Sequence, residues 1–390
     1  MGSRKTGFNF LLVGTFFIVV FLTGCMSHTG SGAGYSAPLD ASPSRTPFLP
    51  ENEAVTSIPS LDAGTPTSAA TATGTATTSS TSTSTPGMRV ELEAVGDIML
   101  ARTVGDQMKA EGSGIVFAGV QSVFDSGDIL VGNLECALTT SGDRQPKSYT
   151  FSAPPDSAEA LAQAGFDVLS LANNHAMDYG IRGLEDTLAA LSQSGISPVG
   201  AGENVSQARF PVVLVRNGLR LAFLSYVDVP TESSGFDART WIATASQPGI
   251  AWADSDHITA DVVAAKLQAD VVIVLLHSGY EIFSYIPSVS ANQREEARAA
   301  IDAGAALVIG SHPHVLQSIE EYHGGLIAYS LGNFVFDGYE GIANASIILR
   351  VVLTPAGVQS YDWVPVLIKN GLPGMAPNDI ANGIETLVAP

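Results

Sequence analysis

Two histidines separated by one proline follow an apolar run of strand length in the C-terminal third of the chain. The run covers residues 305–309, and His312 and His314 come shortly after it. Such a run predicts a buried strand, and ligand sites in parallel α/β sheets lie just beyond the carboxyl ends of strands. Two imidazoles on a short, proline-stiffened loop suit a transition metal, although two solvent-facing histidines on a turn would show the same pattern.

The same arrangement recurs four times upstream. Polar residues with metal-binding atoms follow the apolar runs at 89–95, 128–131, 166–171 and 270–276. Any one of them has a simpler interpretation, such as a turn residue, a helix N-cap or a histidine satisfied within the core. Four of the seven histidines nevertheless lie at strand ends, which random placement does not readily produce. The candidate ligands are Asp97, Asn133 or Glu135, Asn174 with His175, His277, and His312 with His314.

Oxygen and imidazole ligands without a thiolate favour Mn²⁺, iron or Zn²⁺ in a reactive site over a structural zinc. A carboxylate shared by two ions would make a two-metal centre, which holds a phosphoryl or carbonyl oxygen and generates hydroxide near neutral pH. A remaining histidine could act as general acid. The sequence has no P-loop, no G-x-S-x-G and no G-x-G-x-x-G after a strand, so NTPase, serine hydrolase and dinucleotide-binding interpretations lack support.

Positive charges are scarce, and three of them lie near the candidate ligands. The formal net charge of −20 argues against nucleic-acid binding and means that a polyanionic substrate needs a local cationic patch, such as a metal centre. Arg102 follows Asp97 closely, and Arg144 with Lys147 lies in the loop-like stretch 139–154. These residues are candidates for substrate contacts or, more simply, solvated surface charges.

The elements that must position these residues alternate between apolar strands and helices, which predicts an α/β fold with parallel strands on right-handed crossovers. Asp156 with Glu159, and Ser290 with Gln293, have the spacing of helix capping boxes. Asn-Gly at 217–218 predicts a β-hairpin. The irregular stretch 228–256 is either a lid or an ordinary surface excursion, and the strands after residue 345 are expected to be antiparallel.

The first 87 residues differ from the rest. Residues 1–25 have a short basic start and an apolar stretch, and they end in Leu-Thr-Gly-Cys, which resembles a bacterial lipobox. This resemblance implies cleavage before Cys25 and its lipidation; the alternative is an uncleaved membrane anchor, and either places the body outside the cytoplasm. Residues 26–87 are rich in Ser, Thr, Ala, Gly and Pro and predict a disordered linker. Residues 88–390 are then the globular domain.

Five motifs together resemble the CapA family, which is associated with bacterial poly-γ-glutamate capsule synthesis, within the calcineurin-like metallophosphoesterase superfamily. They are residues 96–100 (Gly-Asp-Ile-Met-Leu), 133–135 (Asn-Leu-Glu), 172–180 (Ala-Asn-Asn-His-Ala-Met-Asp-Tyr-Gly), 310–315 (Gly-Ser-His-Pro-His-Val) and 329–334 (Tyr-Ser-Leu-Gly-Asn-Phe). The resemblance covers about residues 90–340. It implies a four-layer αββα sandwich, with two β-sheets flanked by helices in one domain.

The resemblance also implies roles for residues. It makes His175 the general acid and implies a set of metal ligands for one or two divalent ions: Asp97, Glu135, Asn174, His277, His312 and His314. The chain departs from the superfamily at Met99, where a second ligand is usual, and at Asn133, where a bridging Asp is usual. We expect Glu135 to bridge, because a carboxylate neutralises two cations better than an amide does.

The function that the resemblance implies is synthesis, export or anchoring of an anionic polymer at the cell surface, through a metal-dependent hydrolase-like site. Poly-γ-glutamate would be the polymer, Arg102, Arg144 and Lys147 would help to hold its carboxylates, and a membrane polymerase would be a partner. Two alternatives remain open. The protein could be a phosphoesterase acting on an extracytoplasmic substrate, or a module that binds polymer without catalysis.

Overall fold

The computed structural model describes residues 88–232, 235–281 and 288–388. The predicted signal segment 1–25 with Cys25, and the predicted linker 26–87, lie outside the described residues. Among the described residues, no helix has the length and apolar character needed to cross a membrane.

The strands give the fold its framework. In chain order they are β1 (Val90–Ile98), β2 (Ile129–Leu134), β3 (Ala137–Leu138), β4 (Ser152–Ala153), β5 (Phe166–Ser170), β6 (Ser197–Val199), β7 (Ala201–Gly202), β8 (Val212–Arg216), β9 (Leu219–Asp228), β10 (Gly249–Ile250), β11 (Val271–Ser278), β12 (Leu307–Ser311), β13 (Ile319–Tyr322), β14 (Gly325–Ala328), β15 (Asn333–Val335), β16 (Ala345–Thr354), β17 (Gly357–Lys369) and β18 (Leu372–Met375).

The α-helices lie between and after these strands. They are α1 (Arg102–Glu111), α2 (Gln121–Phe124), α3 (Ala158–Ala164), α4 (Gly180–Gln193), α5 (Val205–Ala208), α6 (Ser255–Ala265), α7 (Ala291–Ala303) and α8 (Asn378–Val388).

Two sheets pack face to face between helical layers. The first sheet has the order β18-β17-β16-β1-β2-β5-β6, with β15 also paired to β1, and the second has the order β13-β14-β12-β11-β9-β8. Apolar side chains of both sheets, such as Leu92 and Phe223, form the core between them. Leu184 of α4 belongs to the core outside the first sheet, and Ile258 of α6 to the core outside the second. The predicted four-layer αββα arrangement is confirmed.

The strand directions explain where a site can form. β1, β2, β5 and β6 run parallel in the first sheet, and β9, β11, β12 and β14 run parallel in the second. The later strands β16, β17 and β18 are antiparallel, as expected. The carboxyl ends of the central parallel strands carry the polar residues that the sequence analysis singled out.

Several local signals are confirmed, and one is wrong. Ser290 and Gln293 form the predicted capping box of α7, and the Asn-Gly turn between β8 and β9 has both residues at positive φ, as a type I′ hairpin requires. The capping box predicted for Asp156 and Glu159 does not form. A 3₁₀ turn, Pro155–Ser157, precedes α3 instead, because proline at its first position favours that tight start.

Residues 325–336 contain two short strands that lie in two different sheets. β14 pairs with β12 in the second sheet, whereas β15 pairs with β1 in the first. The chain therefore crosses between the sheets at residues 329–332. The crossing is close-packed, because a Cβ on Gly96 would lie 1.9 Å from the carbonyl oxygen of Gly332.

Candidate metal centre

The predicted ligands from four strands meet at one edge of the two sheets. Asp97 lies at the end of β1 and Glu135 directly after β2, whereas His277 lies at the end of β11 and His312 directly after β12. All four side chains are buried. Parallel strands that end at the same edge bring distant residues together there, so the first and second sheets each supply half of this cluster.

Asp97, Glu135 and His277 form the inner group of the cluster, with one ligand atom of each within 4.8 Å of the others. Asp97 is held on both sides: its Oδ1 accepts from Nδ2 of Asn133 at 2.8 Å, and its Oδ2 accepts from the backbone N–H of His312 at 3.2 Å. Among the described residues, neither carboxylate oxygen of Glu135 has a hydrogen-bond partner, although both are buried. A fully buried carboxylate without donors requires a cation or a proton.

Asn133 orients Asp97 and is itself held in place. Its Nδ2 donates to Asp97, and its Oδ1 accepts from Nδ2 of Asn173 at 3.0 Å. The amide oxygen of Asn133 is therefore engaged, whereas the oxygens of Glu135 accept no bond within the described part of the chain. Among the described residues, Glu135 therefore keeps both oxygens for a ligand, whereas the amide oxygen of Asn133 is already hydrogen-bonded.

The three strand-end histidines differ in which nitrogen is available. His277 donates from Nε2 to Oδ1 of Asn174 at 2.9 Å, and its Nδ1 lies 2.8 Å from Oγ of Ser311. His314 donates from Nδ1 to Oδ1 of Asn333 at 2.8 Å, so its Nε2 carries the lone pair. The Nδ1 of His312 is buried and has no partner in residues 88–232, 235–281 and 288–388.

The loop that carries His312 and His314 is strained. Both residues have positive φ, +98° and +58°, a region that non-glycine residues adopt at a cost of about 1–3 kcal/mol each. Such strain persists where the surroundings impose it, and it is concentrated at functional sites. Here the backbone N–H bond from His312 to Asp97 and the side-chain bond from His314 to Asn333 hold the loop in this form.

His175 lies beside the inner group and is oriented by an aspartate three residues later. Its Nδ1 donates to Oδ2 of Asp178 at 2.7 Å, its ring stacks on Phe151 with centroids 4.3 Å apart, and its Nε2 lies 3.8 Å from Oε1 of Glu135. Burial lowers the pKa of His175 to about 4, against the opposing charge of Asp178. The imidazole is therefore neutral near pH 7, with a proton-accepting Nε2 directed at the cluster.

Lys147 is placed differently from the loop charge that the sequence suggested. Its side chain is fully buried, with Nζ 2.7 Å from Oδ1 of Asp178 and 2.5 Å from Oε1 of Glu232. Nζ also donates to the backbone oxygen of Asn174 and lies 4.9 Å from the ring centroid of Trp241. The Lys147 ammonium is thus paired with carboxylates of the protein, and it lies against the Asp178 side chain that orients His175.

The two arginines predicted to touch substrate are not brought into the cluster. Arg102 donates to the backbone oxygen and the carboxylate of Asp337 and lies 5.2 Å over the ring of Phe151. Arg144 is exposed and donates to Oγ1 of Thr150 at 2.6 Å. Arg102, unlike Arg144, contacts the Phe151 ring that stacks on His175. The Arg102 side chain remains partly exposed.

The electrostatics of the cluster suit a cation. Burial raises the pKa of Asp97, and burial together with the charge of Asp97 raises the pKa of Glu135 well above its usual range. Burial and the neighbouring imidazoles lower the pKa values of His277 and His312 well below the usual range. Neutral imidazoles and closely spaced carboxylates are the donor set of a divalent transition metal, so the residues fit such an ion.

Glu281 also lies at this cluster, although it was not among the predicted ligands. Its carboxylate lies within 4.8 Å of ligand atoms of both His312 and His314, and it is half-buried. The only signal was its position four residues after His277, beyond the end of β11. Asn333, which holds His314, was recognised as part of a family motif but was given no role.

Comparison with known proteins agrees with the motifs. The family model described as bacterial capsule synthesis protein PGA_cap matches residues 91–338. The chain is 35% identical over 288 residues to the PGA biosynthesis protein CapA of Bacillus subtilis, covering 73% of each chain. It is also 35% identical over 293 residues to the capsule biosynthesis protein CapA of Bacillus anthracis, covering 73% of this chain and 69% of that one.

Among solved structures, a hypothetical protein from Thermus thermophilus aligns with a TM-score of 0.46 and 16% identity, covering 70% of this chain and 98% of that one. The family model decides the assignment, because residues 91–338 include the strand-end motifs from β1 to β15, and the two Bacillus proteins agree with it at 35% identity over 73% of this chain. The chain belongs to the bacterial capsule synthesis protein PGA_cap family.

Proposed function

We propose that this protein acts in poly-γ-glutamate capsule synthesis through a divalent-metal centre that hydrolyses or transfers an amide of the polymer. The names of the two Bacillus relatives support the pathway. The observation that carries the metal centre is the buried carboxylate of Glu135, which has no hydrogen-bond donor among the described residues and lies beside Asp97 and His277. Without a cation, burying two neighbouring carboxylates would be strongly unfavourable.

Asp97, Glu135 and His277 would hold the ion, with His312 and His314 beside them, and Asn174, whose Oδ1 accepts from Nε2 of His277, would orient that histidine. When bound, a divalent ion polarises a carbonyl oxygen and lowers the pKa of water. Mn²⁺, iron and Zn²⁺ all suit these ligands.

His175 is the chain's own proton-transfer group in this proposal. With Nδ1–H committed to Asp178, its Nε2 can accept the proton of the attacking water and deliver it to the departing amine as the amide C–N bond breaks. The low pKa of His175 means that the free imidazole is neutral, so it acts as general acid only after taking up that proton. Phe151 stacks on one face of the ring and fixes its direction.

The location is part of the same proposal. The lipobox-like end of residues 1–25 supports attachment of Cys25 to the outer face of the cell membrane, with residues 26–87 as the tether. A protein anchored there would meet the polymer as it leaves a membrane polymerase. The strongly negative chain would not attract this polyanion at long range, so the metal centre would supply the local positive charge.

Catalysis is tested with the full chain, loaded with Mn²⁺, on purified poly-γ-glutamate, by counting new amino termini. Wild type should cleave the polymer, and His175→Ala should lose about 10²–10⁴-fold while its metal content stays unchanged. His257→Ala changes an exposed histidine at the start of α6 and should behave as wild type.

Two results would reject parts of this proposal. Unchanged cleavage by His175→Ala would remove the proton-transfer role. Turnover of an aryl phosphate without cleavage of the polymer would replace the amide reaction with phosphoester hydrolysis.

A further inference from the structure

Three side chains form a second group on the outer side of the cluster. Glu281, His312 and His314 each offer one ligand atom, and these atoms lie within 4.8 Å of one another. Both histidines are buried, whereas Glu281 is half-buried. Glu281 is therefore the most exposed side chain of the two groups, and Asp97, Glu135 and His277 of the inner group are all buried.

Both histidines of this outer group have a nitrogen available for a ligand bond. His314 donates from Nδ1 to Asn333, which fixes its tautomer and leaves the lone pair on Nε2, as a second partner typically does for a metal-binding histidine. His312 has a buried Nδ1 with no partner among the residues that the structure describes. Two available imidazole nitrogens beside a carboxylate are a built ligand set rather than a solvated charge cluster.

Glu135 lies between the two groups. Its Oε1 is 3.8 Å from Nε2 of His314, and the same carboxylate belongs to the inner group. The Oδ2 of Asp97 lies 3.6 Å from Nδ1 of His314. Neither oxygen of Glu135 is used by another described residue, so one oxygen can serve each group.

Met99 occupies the place where the superfamily usually has a second metal ligand, but its side chain cannot bind the ion. Its side chain is fully buried in the core outside the first sheet, and its Sδ accepts from the backbone N–H of Ala101 at 3.1 Å. The side chain two residues after Asp97 is thus part of the hydrophobic core. Any further carboxylate must come from another element, and Glu281, beyond the end of β11, is the one that reaches His312 and His314 within the described part of the chain.

We propose that Glu281 is a metal ligand that, with His312 and His314, completes a second divalent-cation position on the less buried side of the cluster. The inference rests on the proposed metal centre and adds its second position. Three carboxylates against two divalent ions leave one net positive charge, which suits an anionic substrate. Since Glu281 is the only half-buried member of the two groups, the ion beside it is the one that an arriving substrate carboxylate or carbonyl oxygen would meet.

The test is Mn²⁺ binding by the full chain, followed by metal analysis and electron paramagnetic resonance. Wild type should bind two equivalents and give the spectrum of a spin-coupled pair. Glu281→Gln should weaken the second equivalent by about tenfold or more and give the spectrum of an isolated ion. Glu281→His, which restores a ligand atom, should recover part of the second equivalent, whereas the exposed Glu340→Gln should match wild type.

The outcomes separate this inference from the proposed function. If wild type binds no Mn²⁺, both the centre and its second position are rejected. If wild type binds Mn²⁺ and Glu281→Gln binds as much with the same affinity, only the role of Glu281 is rejected. Loss of the second equivalent in Glu281→Gln without recovery in Glu281→His would show a structural role and would also overturn the inference. Circular dichroism of each variant confirms that it is folded.

Discussion

Replacing Lys147 with methionine should destabilise the protein far more than replacing an exposed lysine. Lys147 is fully buried, and its ammonium lies between the carboxylates of Asp178 and Glu232. Methionine fills a similar volume without charge, so the change leaves the packing largely intact and removes the ion pairs. Breaking a buried ion pair by removing one partner costs about 3–5 kcal/mol, because the remaining charge is unpaired.

The two carboxylates would not suffer equally. Asp178 would still accept from the backbone N–H of Phe151 at 2.6 Å and from His175. Glu232 would keep a 3.3 Å bond from Asn174, and burial already raises its pKa. It would therefore take up a proton, which limits the loss. We expect a decrease of about 3 kcal/mol in the free energy of unfolding, near the lower end of that range.

Urea denaturation of wild type, Lys147→Met, Glu232→Gln and the double variant measures this coupling. The double variant should be more stable than the sum of the single changes predicts, by about 1–3 kcal/mol, since it leaves no unpaired glutamate at this position. The pKa of His175 should also rise in Lys147→Met, because the lysine charge helps to lower it; NMR titration of the imidazole reports that change. Exposed Lys109→Met serves as control.

A loss below about 1 kcal/mol in Lys147→Met, equal to that of Lys109→Met, would contradict a buried ion pair at Lys147. So would strict additivity of the two changes in the double variant. Either result would mean that the ammonium and the two carboxylates are solvated in solution and do not hold the His175–Asp178 pair.

Two further predictions concern stability away from Lys147. Burial raises the pKa of Glu296 to about 8, above its value in the unfolded chain, so stability should fall by roughly 2–3 kcal/mol from about pH 5 to about pH 7. Glu296→Gln should flatten that dependence in urea unfolding at several pH values, exposed Glu295→Gln should not, and equal slopes would contradict the shift. Gly96→Ala should cost about 2 kcal/mol or more, because its Cβ would meet the carbonyl oxygen of Gly332 at 1.9 Å. Gly383→Ala in α8, with no atom within 4 Å of the added Cβ, should gain about 0.5–1 kcal/mol; a similar loss at both sites in thermal unfolding would exclude the steric explanation.

The clustering of polar residues at the strand ends could be predicted, because strand ends are visible in the local sequence and parallel crossovers bring such ends together. An apolar run of strand length followed by Asp97 or His277 needs only its own residues to show where the strand ends. Parallel crossovers then bring such ends to a common edge without knowledge of the packing. The same locality explains the capping box of α7 and the hairpin turn before β9, since each depends on residues within a few positions of one another.

The supporting residues could not be predicted, because they depend on contacts between distant segments. Lys147 and Glu232 are far apart in the sequence. Both come from irregular stretches that have no helical or strand periodicity. Glu281 follows β11 in a stretch whose sequence has no helical or strand pattern. The neighbouring sequence does not distinguish a buried lysine in a loop from a solvated one. Lys147 was therefore predicted to be available to substrate.

The places where this chain breaks local rules coincide with its candidate site. His312 and His314 adopt left-handed backbone conformations, Glu135 is buried without a donor among the described residues, and Lys147 is buried in a loop. Each feature is unfavourable by itself, and elsewhere in a core such features are selected against. Their convergence at one sheet edge is best explained if a bound cation offsets the burial of Glu135 and the surrounding sheets hold the two histidines in place. Metal binding should therefore stabilise this edge of the fold more than any other part of it.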